Sequence, residues 1–261
     1  MPTVESLDGV KLAVDVIGDG EPVTVLAHGL TGSRADLAIF GPFLPGTSVL
    51  FDFRGHGESE RPGPGSYSMD HFAGDVEAAA RAFDATAVGG SSLGGGATLR
   101  LLCSNPDRFE KLVFLLPARL ERSGAAHHSL LRIADILEHH PIEEAADLIV
   151  DAEEAEGAFE GFPSAKSSRR QAVLAMNGDG IPHAIRGVID DPPVVDPEPI
   201  TRVRAPALVI GQRGDPVHTA EVAQELADTL PNAELILFED RFAMLRKVPA
   251  LVQRVAAFLA G

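Results

Sequence analysis

Apolar residues gather in short runs along this chain, at 11–16, 23–27, 48–51, 86–89, 111–115, 207–210 and 234–238. Runs this short, rich in Val, Leu and Ile and closed by Gly, Pro or Asp, read as strands. Between most of them apolar positions return at three- and four-residue spacing. The sets are Phe72, Val76, Ala80 and Phe83, then Val222, Leu226 and Leu230, then Leu251, Val255 and Leu259. That spacing lines one face of a helix. Strands alternating with helices predict an α/β fold, a mostly parallel central sheet with helices on both faces. The first strands precede any helix and read as an antiparallel start.

One stretch breaks the alternation. From about 118 to 199 the chain is charged and Ala-rich, with helix-like segments at 130–138 and 143–154 and no convincing strand. It ends in the Pro-rich run 190–199, which reads as an extended connector. The predicted organisation is a core of 1–117 and 200–261 interrupted by a helical insertion of 118–199. Neither an internal repeat nor a low-complexity tail is visible.

Composition narrows the partners. The chain has 261 residues and is 45% hydrophobic, enough to bury a full core. Its formal charge of −16 argues against nucleic acid and anionic membranes. No apolar run approaches the roughly 18–20 residues needed to cross a bilayer, and the start lacks a signal-peptide pattern. A cytoplasmic protein acting on a small molecule is expected, with homo-oligomerisation left open. Cys103 is the single cysteine, which excludes an intrachain disulfide and reads as a buried packing residue.

The most informative segment is Gly90-Ser91-Ser92-Leu93-Gly94, between the run at 86–89 and the helix-like 95–103. Gly-x-Ser-x-Gly between strand and helix makes a sharp turn that presents the central serine at the helix N-terminus. There Ser92 meets the positive end of the helix dipole and free N–H groups. Ser91, its neighbour, is expected to face away from the pocket.

Three further segments complete a pattern. They are Ala27-His28-Gly29-Leu30, the turn Phe51-Asp52-Phe53-Arg54-Gly55-His56-Gly57-Glu58-Ser59, and Val209-Ile210-Gly211-Gln212-Arg213-Gly214-Asp215-Pro216. In this order, with the Gly90–Gly94 turn, they resemble the α/β-hydrolase superfamily over essentially the whole chain outside the insertion. The resemblance implies Ser92 as nucleophile, with the backbone N–H groups of Leu30 and Leu93 as oxyanion hole. It implies Asp215 as the orienting acid, with Glu121 as fallback, and the insertion as a helical cap. His28 and His56 fall in the motifs and read as structural.

The superfamily's histidine is missing. It belongs in a Gly-containing turn after the last strand, where this chain reads Phe238-Glu239-Asp240-Arg241-Phe242, and no histidine follows His218. Phe242 falls nearest the expected position, and the loss of the glycines marks the loop as remodelled as a whole. Without a base, serine chemistry keeps only about 10³–10⁴-fold over water. His218, three residues past Asp215, is the best substitute; His183, or a carboxylate of Glu239 or Asp240 with a raised pKa, stays open. His71 reads as a capping or surface residue, and His127, His128, His139 and His140 as solvated. Adjacent His pairs do not meet the i, i+3 or i, i+4 spacing of ligands on one helix face, so no metal is expected. Gly94-Gly95-Gly96 lacks the lysine of a phosphate loop, so neither is a nucleotide cofactor.

The leading expectation is a serine-nucleophile hydrolase of a small carboxylic ester, lactone or thioester with a non-standard base. Lyase, cyclase or isomerase chemistry at the same oxyanion hole, and a non-catalytic binding protein, remain as alternatives.

Overall fold

A computed structural model describes residues 2–118, 120, 127–176 and 179–261. Eight strands form one sheet in the order β1-β2-β4-β3-β5-β6-β7-β8. They are β1 (Thr3–Glu5), β2 (Lys11–Gly18), β3 (Val23–Ala27), β4 (Thr47–Phe51), β5 (Ala87–Ser91), β6 (Lys111–Leu115), β7 (Ala207–Gln212) and β8 (Ala233–Phe238). β1 and β2 are antiparallel to their neighbours, and every other pairing is parallel. The predicted α/β class and antiparallel start are what the structure shows. The sequence pattern missed β1, three residues of which only Val4 is buried.

The helices are α1 (Met69–Ala82), α2 (Leu93–Ser104), α3 (His127–His139), α4 (Ile142–Ala155), α5 (Ala165–Leu174), α6 (Gly180–Val188), α7 (Ala220–Thr229), α8 (Ala243–Arg246) and α9 (Val248–Ala260). Strand alternation sends neighbouring residues to opposite faces. Val25, Val49, Leu112 and Val209 pack with Phe72 and Val76 of α1, Leu99 and Leu102 of α2 and Leu226 of α7. Leu26, Leu50, Val113 and Leu208 pack on the other face with Leu251, Val255 and Leu259 of α9. Both faces are covered, which is why these strands read as continuous apolar runs.

Helices α3 to α6 lie between β6 and β7 and share their own apolar cluster, including Ile133, Ala145, Ile149, Val173 and Ile185. α5 escaped the pattern because Val173 is its one buried residue. The Pro-rich 190–199 run is irregular until a 3₁₀ turn at Glu198–Arg202.

A buried ionic cluster ties the N-terminal hairpin to α1. The Arg54 side chain is 1% exposed and donates to Asp75, itself fully buried, and to Asp8. Ser6 Oγ donates to Asp75 at 2.6 Å. Asp75→Ala is expected to destabilise by about 3–5 kcal/mol, because it leaves a buried guanidinium short of its main counter-charge. A urea midpoint within error of the wild type would refute that.

Candidate active site

β5 runs into α2 through a single residue, Ser92, with φ 48° and ψ −106°. A non-glycine residue in this region is strained by about 1–3 kcal/mol and persists only where its surroundings hold it. Here Ser92 N–H donates to Leu115 O at 3.1 Å and Gly94 N–H to His28 O at 3.0 Å. The flanking glycines are sterically required. A Cβ on Gly90 would lie 2.5 Å from the Gly94 carbonyl carbon, and one on Gly94 would lie 2.1 Å from Ala27 O.

The loop after β7 brings the second and third groups. His218 Nε2 stands 3.1 Å from Ser92 Oγ, and His218 Nδ1 stands 3.3 Å from Asp215 Oδ2. Asp215 Oδ1 accepts the backbone N–H of Val217 at 2.8 Å and of His218 at 2.9 Å. Its Oδ2 also accepts Gln212 Nε2 at 2.9 Å. Burial alone would raise the carboxyl's pKa. The hydrogen bond and charge of His218, its backbone N–H and the Gln212 amide outweigh that and hold it well below the usual carboxylate range. Gln212 had no signal in the sequence. It ends β7 as a buried amide and gains meaning only from the carboxylate beside it.

The loop after β3 packs alongside. A Cβ on Gly29 would meet Ser92 Cβ at 3.6 Å. His28 Nδ1 lies 2.7 Å from Gly29 O, and Phe53 N–H donates to His28 Nε2 at 3.0 Å. Both contacts are satisfied by the neutral Nδ1–H tautomer, and burial, followed by the neighbouring His56, pushes His28 well below its ordinary pKa. In a trans peptide C=O and N–H point in opposite directions. Pinning Gly29 O therefore turns the Leu30 N–H the other way. His56 packs against the next carbonyl, with Nε2 2.6 Å from Leu30 O and Nδ1 2.8 Å from Arg54 O, and its neutral ring donates to one of the two.

Ser92, His218, Leu30 and Leu93 all line one cavity of about 350 Å³. Its wall is mainly apolar, from Leu37, Leu130, Val188, Ile189, Pro193 and Val217 among others. Ser91 contributes to the wall as well, contrary to its expected outward position, because the strained turn exposes both serines in part. His127 also lines the cavity rather than standing in solvent. His139 and His140 instead engage Asp135 O and Glu144 within the insertion.

The other candidate bases lie elsewhere. His183 packs on Tyr67, ring centres 5.9 Å apart. Glu239 and Asp240 face outward, and their pKa values are lowered by Lys247 and Arg246, the reverse of a raised-pKa base. Glu121 lies outside the described residues. Ser68 caps α1 by accepting the His71 N–H at 3.3 Å, and His71 completes the capping box as its Nδ1 accepts the Ser68 N–H at 3.2 Å. Cys103 is half-buried at the core's edge rather than enclosed.

The loop after β8 meets the helical insertion instead of Ser92. Arg241 donates to the carbonyls of Gly157 and Glu160, each at 2.8 Å, and the Phe242 ring lies 5.3 Å from that of Phe162. Among the described residues no group of three or more His, Cys, Asp or Glu side chains converges to hold a metal. Nor is any described helix long and apolar enough to cross a membrane.

The family model of the alpha/beta hydrolase fold matches residues 22–175, and the chain belongs to that family. Solved structures of similar shape include an enol-lactonase from Burkholderia xenovorans LB400, with TM-score 0.81, 21% identity and 100% of each chain covered. An esterase from Exiguobacterium antarcticum gives 0.81 and 16% identity, with 99% of each chain covered. An alpha/beta hydrolase from Sphaerobacter thermophilus gives 0.69 and 25%, covering 97% of this chain and 99% of its own. No curated protein matches the sequence closely enough to count as a relative.

Arg241→Ala should release the corner between α4 and α5 without touching the sheet. Backbone amides in 157–175 are expected to exchange faster while those of β3, β5 and β6 stay as they were. Unchanged exchange across that corner would show that the clamp carries no weight.

Proposed function

We propose that this protein is a serine hydrolase of small carboxylic esters or lactones, thioesters being chemically equivalent, with Ser92, His218 and Asp215 as its triad. The observation that carries the reading is the hydrogen-bonded chain from Ser92 Oγ through both ring nitrogens of His218 to Asp215. A serine hydroxyl is too weak a nucleophile without an adjacent base. His218 supplies one from the same loop as its acid, in place of the histidine absent after β8.

As Ser92 Oγ bonds to the substrate carbonyl carbon, its proton passes to His218 Nε2 and the carbonyl π pair moves onto oxygen. Asp215, kept ionised, holds the Nδ1–H tautomer and offsets the imidazolium charge. The Leu93 N–H, at the first turn of α2 where no helical carbonyl precedes it, and the Leu30 N–H receive the oxyanion. Collapse breaks the bond to the alcohol oxygen, which takes the proton from Nε2. Water then attacks the acyl carbon while giving a proton to His218 Nε2, and the acyl–Oγ bond breaks as Ser92 Oγ takes that proton back. Helices α3 to α6 serve as the cap that keeps bulk water from this cavity. An assembled base supports hydrolysis over the non-hydrolytic and ligand-binding alternatives.

A fluorophosphonate probe should label the wild type at Ser92 and leave Ser92→Ala unmodified; an intact serine left unlabelled at saturating probe would defeat the proposal. His218→Ala and Asp215→Asn are each expected to lower kcat by about 10³–10⁴-fold with folding retained. Because its depressed pKa keeps Asp215 charged well into acid, loss of kcat/KM as pH falls should not track protonation of this carboxylate. The same depressed pKa stabilises the fold above the carboxyl's unfolded pKa, a contribution lost only as pH falls through the lower folded value.

A further inference from the structure

One strong cation reaches the cavity among its described lining residues, Arg169 of α5. Its guanidinium is anchored from one side: Nε donates to Glu153 at 3.0 Å and Nη2 to the same carboxylate at 2.8 Å. An arginine has five N–H donors in a planar fork. Glu153 occupies the Nε–Nη2 edge, which leaves the Nη1–Nη2 edge with no protein acceptor among the described residues. Holding one edge fixes the plane of the other, so little rotamer freedom is lost when a ligand binds it. The remaining charged or titratable wall groups lack such a fork. Asp36 is exposed and accepts the Ser33 N–H at 3.0 Å, and His218 is committed to Ser92 and Asp215. His127, whose buried Nδ1 has no hydrogen-bond partner among the described residues, offers a carboxylate a single nitrogen rather than two parallel donors.

We propose that the substrate carries a carboxylate in addition to its ester or lactone carbonyl, and that the free edge of Arg169 binds this carboxylate while the carbonyl sits at Ser92. The inference rests on the hydrolase reading above. Two parallel N–H···O bonds match a carboxylate's oxygens. The Arg169–Glu153 pair has no net charge, and the chain carries −16 overall, so the site favours a singly charged group over a doubly charged phosphate. Recognition then comes from geometry inside an apolar cavity rather than from a long-range field. The apolar wall accommodates the carbon chain joining the two functional groups.

Two esters of equal chain length test this: mono-4-nitrophenyl glutarate, which ends in a carboxylate, and 4-nitrophenyl valerate, which does not. The wild type should favour the glutarate ester in kcat/KM by about tenfold or more. Arg169→Gln should abolish that preference through KM while valerate hydrolysis continues, which also shows that the variant is folded. Arg169→Lys, which keeps the charge but loses the fork, should fall between the two. If the ratio is the same in the wild type and Arg169→Gln, or if both favour the neutral ester, the assignment to Arg169 is wrong and the hydrolase reading stands. If neither ester is turned over, binding of monomethyl glutarate to Ser92→Ala, measured by calorimetry, decides separately. Binding lost in Ser92→Ala/Arg169→Gln upholds the carboxylate site without the hydrolase, and its absence in Ser92→Ala overturns the site.

Discussion

A backbone that would not relax into this shape by itself lies at the centre of the molecule. Ser92 occupies a positive-φ conformation that costs a serine free energy, and it is held there from three directions. Leu115 accepts its N–H, His28 accepts the N–H of Gly94, and the Gly94 Cα lies so close to Ala27 O that no side chain fits. These contacts join β3, β5 and β6, three neighbouring parallel strands at the middle of the sheet. The strain is thus carried by the buried centre of the sheet. Loosening any of the three strands would let the turn relax and carry the Ser92 hydroxyl away from His218.

The groups around that hydroxyl are oriented mostly by backbone. Asp215 accepts two N–H groups from its own loop as well as facing the imidazole, so backbone fixes the carboxylate beside His218. Gln212 adds a third protein donor from the end of β7. Because acid and histidine are three residues apart, one short loop sets both positions. On the other side of the cavity His28 and His56 grip consecutive carbonyls, which fixes the run of peptide planes facing Ser92. Both histidines are fully buried, and burial holds both below their ordinary pKa.

The loop after β8, which contains no histidine, packs on the insertion. Arg241 and Phe242 bind the corner between α4 and α5, and α5 carries Arg169 and Ala172 into the cavity wall. Glu239-Asp240-Arg241 holds no glycine, which suits such a clamp, since a guanidinium reaching two carbonyls needs a chain that does not swing. The loop after β8 therefore tethers the insertion at that end of the sheet.

The fold and the sharp turn at Ser92 were legible in the sequence because both follow from local rules. Burial on both faces makes parallel strands continuous apolar runs, helix spacing repeats every three to four residues, and only glycine fits beside a serine in so sharp a turn. Asp215 could be named from the family resemblance and His218 from its place three residues on, yet their distance to Ser92 depends on β5 and β7 both flanking β6 in the sheet, a long-range arrangement. Ser91 and His127 reached the cavity wall against expectation because orientation around a strained turn and within an insertion is not periodic. Gln212 and Arg169 carried no signal at all: an amide acquires its role from a carboxylate three residues on, and a guanidinium from the edge that Glu153 leaves open. The sequence by itself determined which elements form and where a serine must be exposed, since those depend on neighbours in the chain. Tertiary structure alone decided which side chains face that serine, since contacts between residues more than a hundred positions apart are set by packing, not by local pattern.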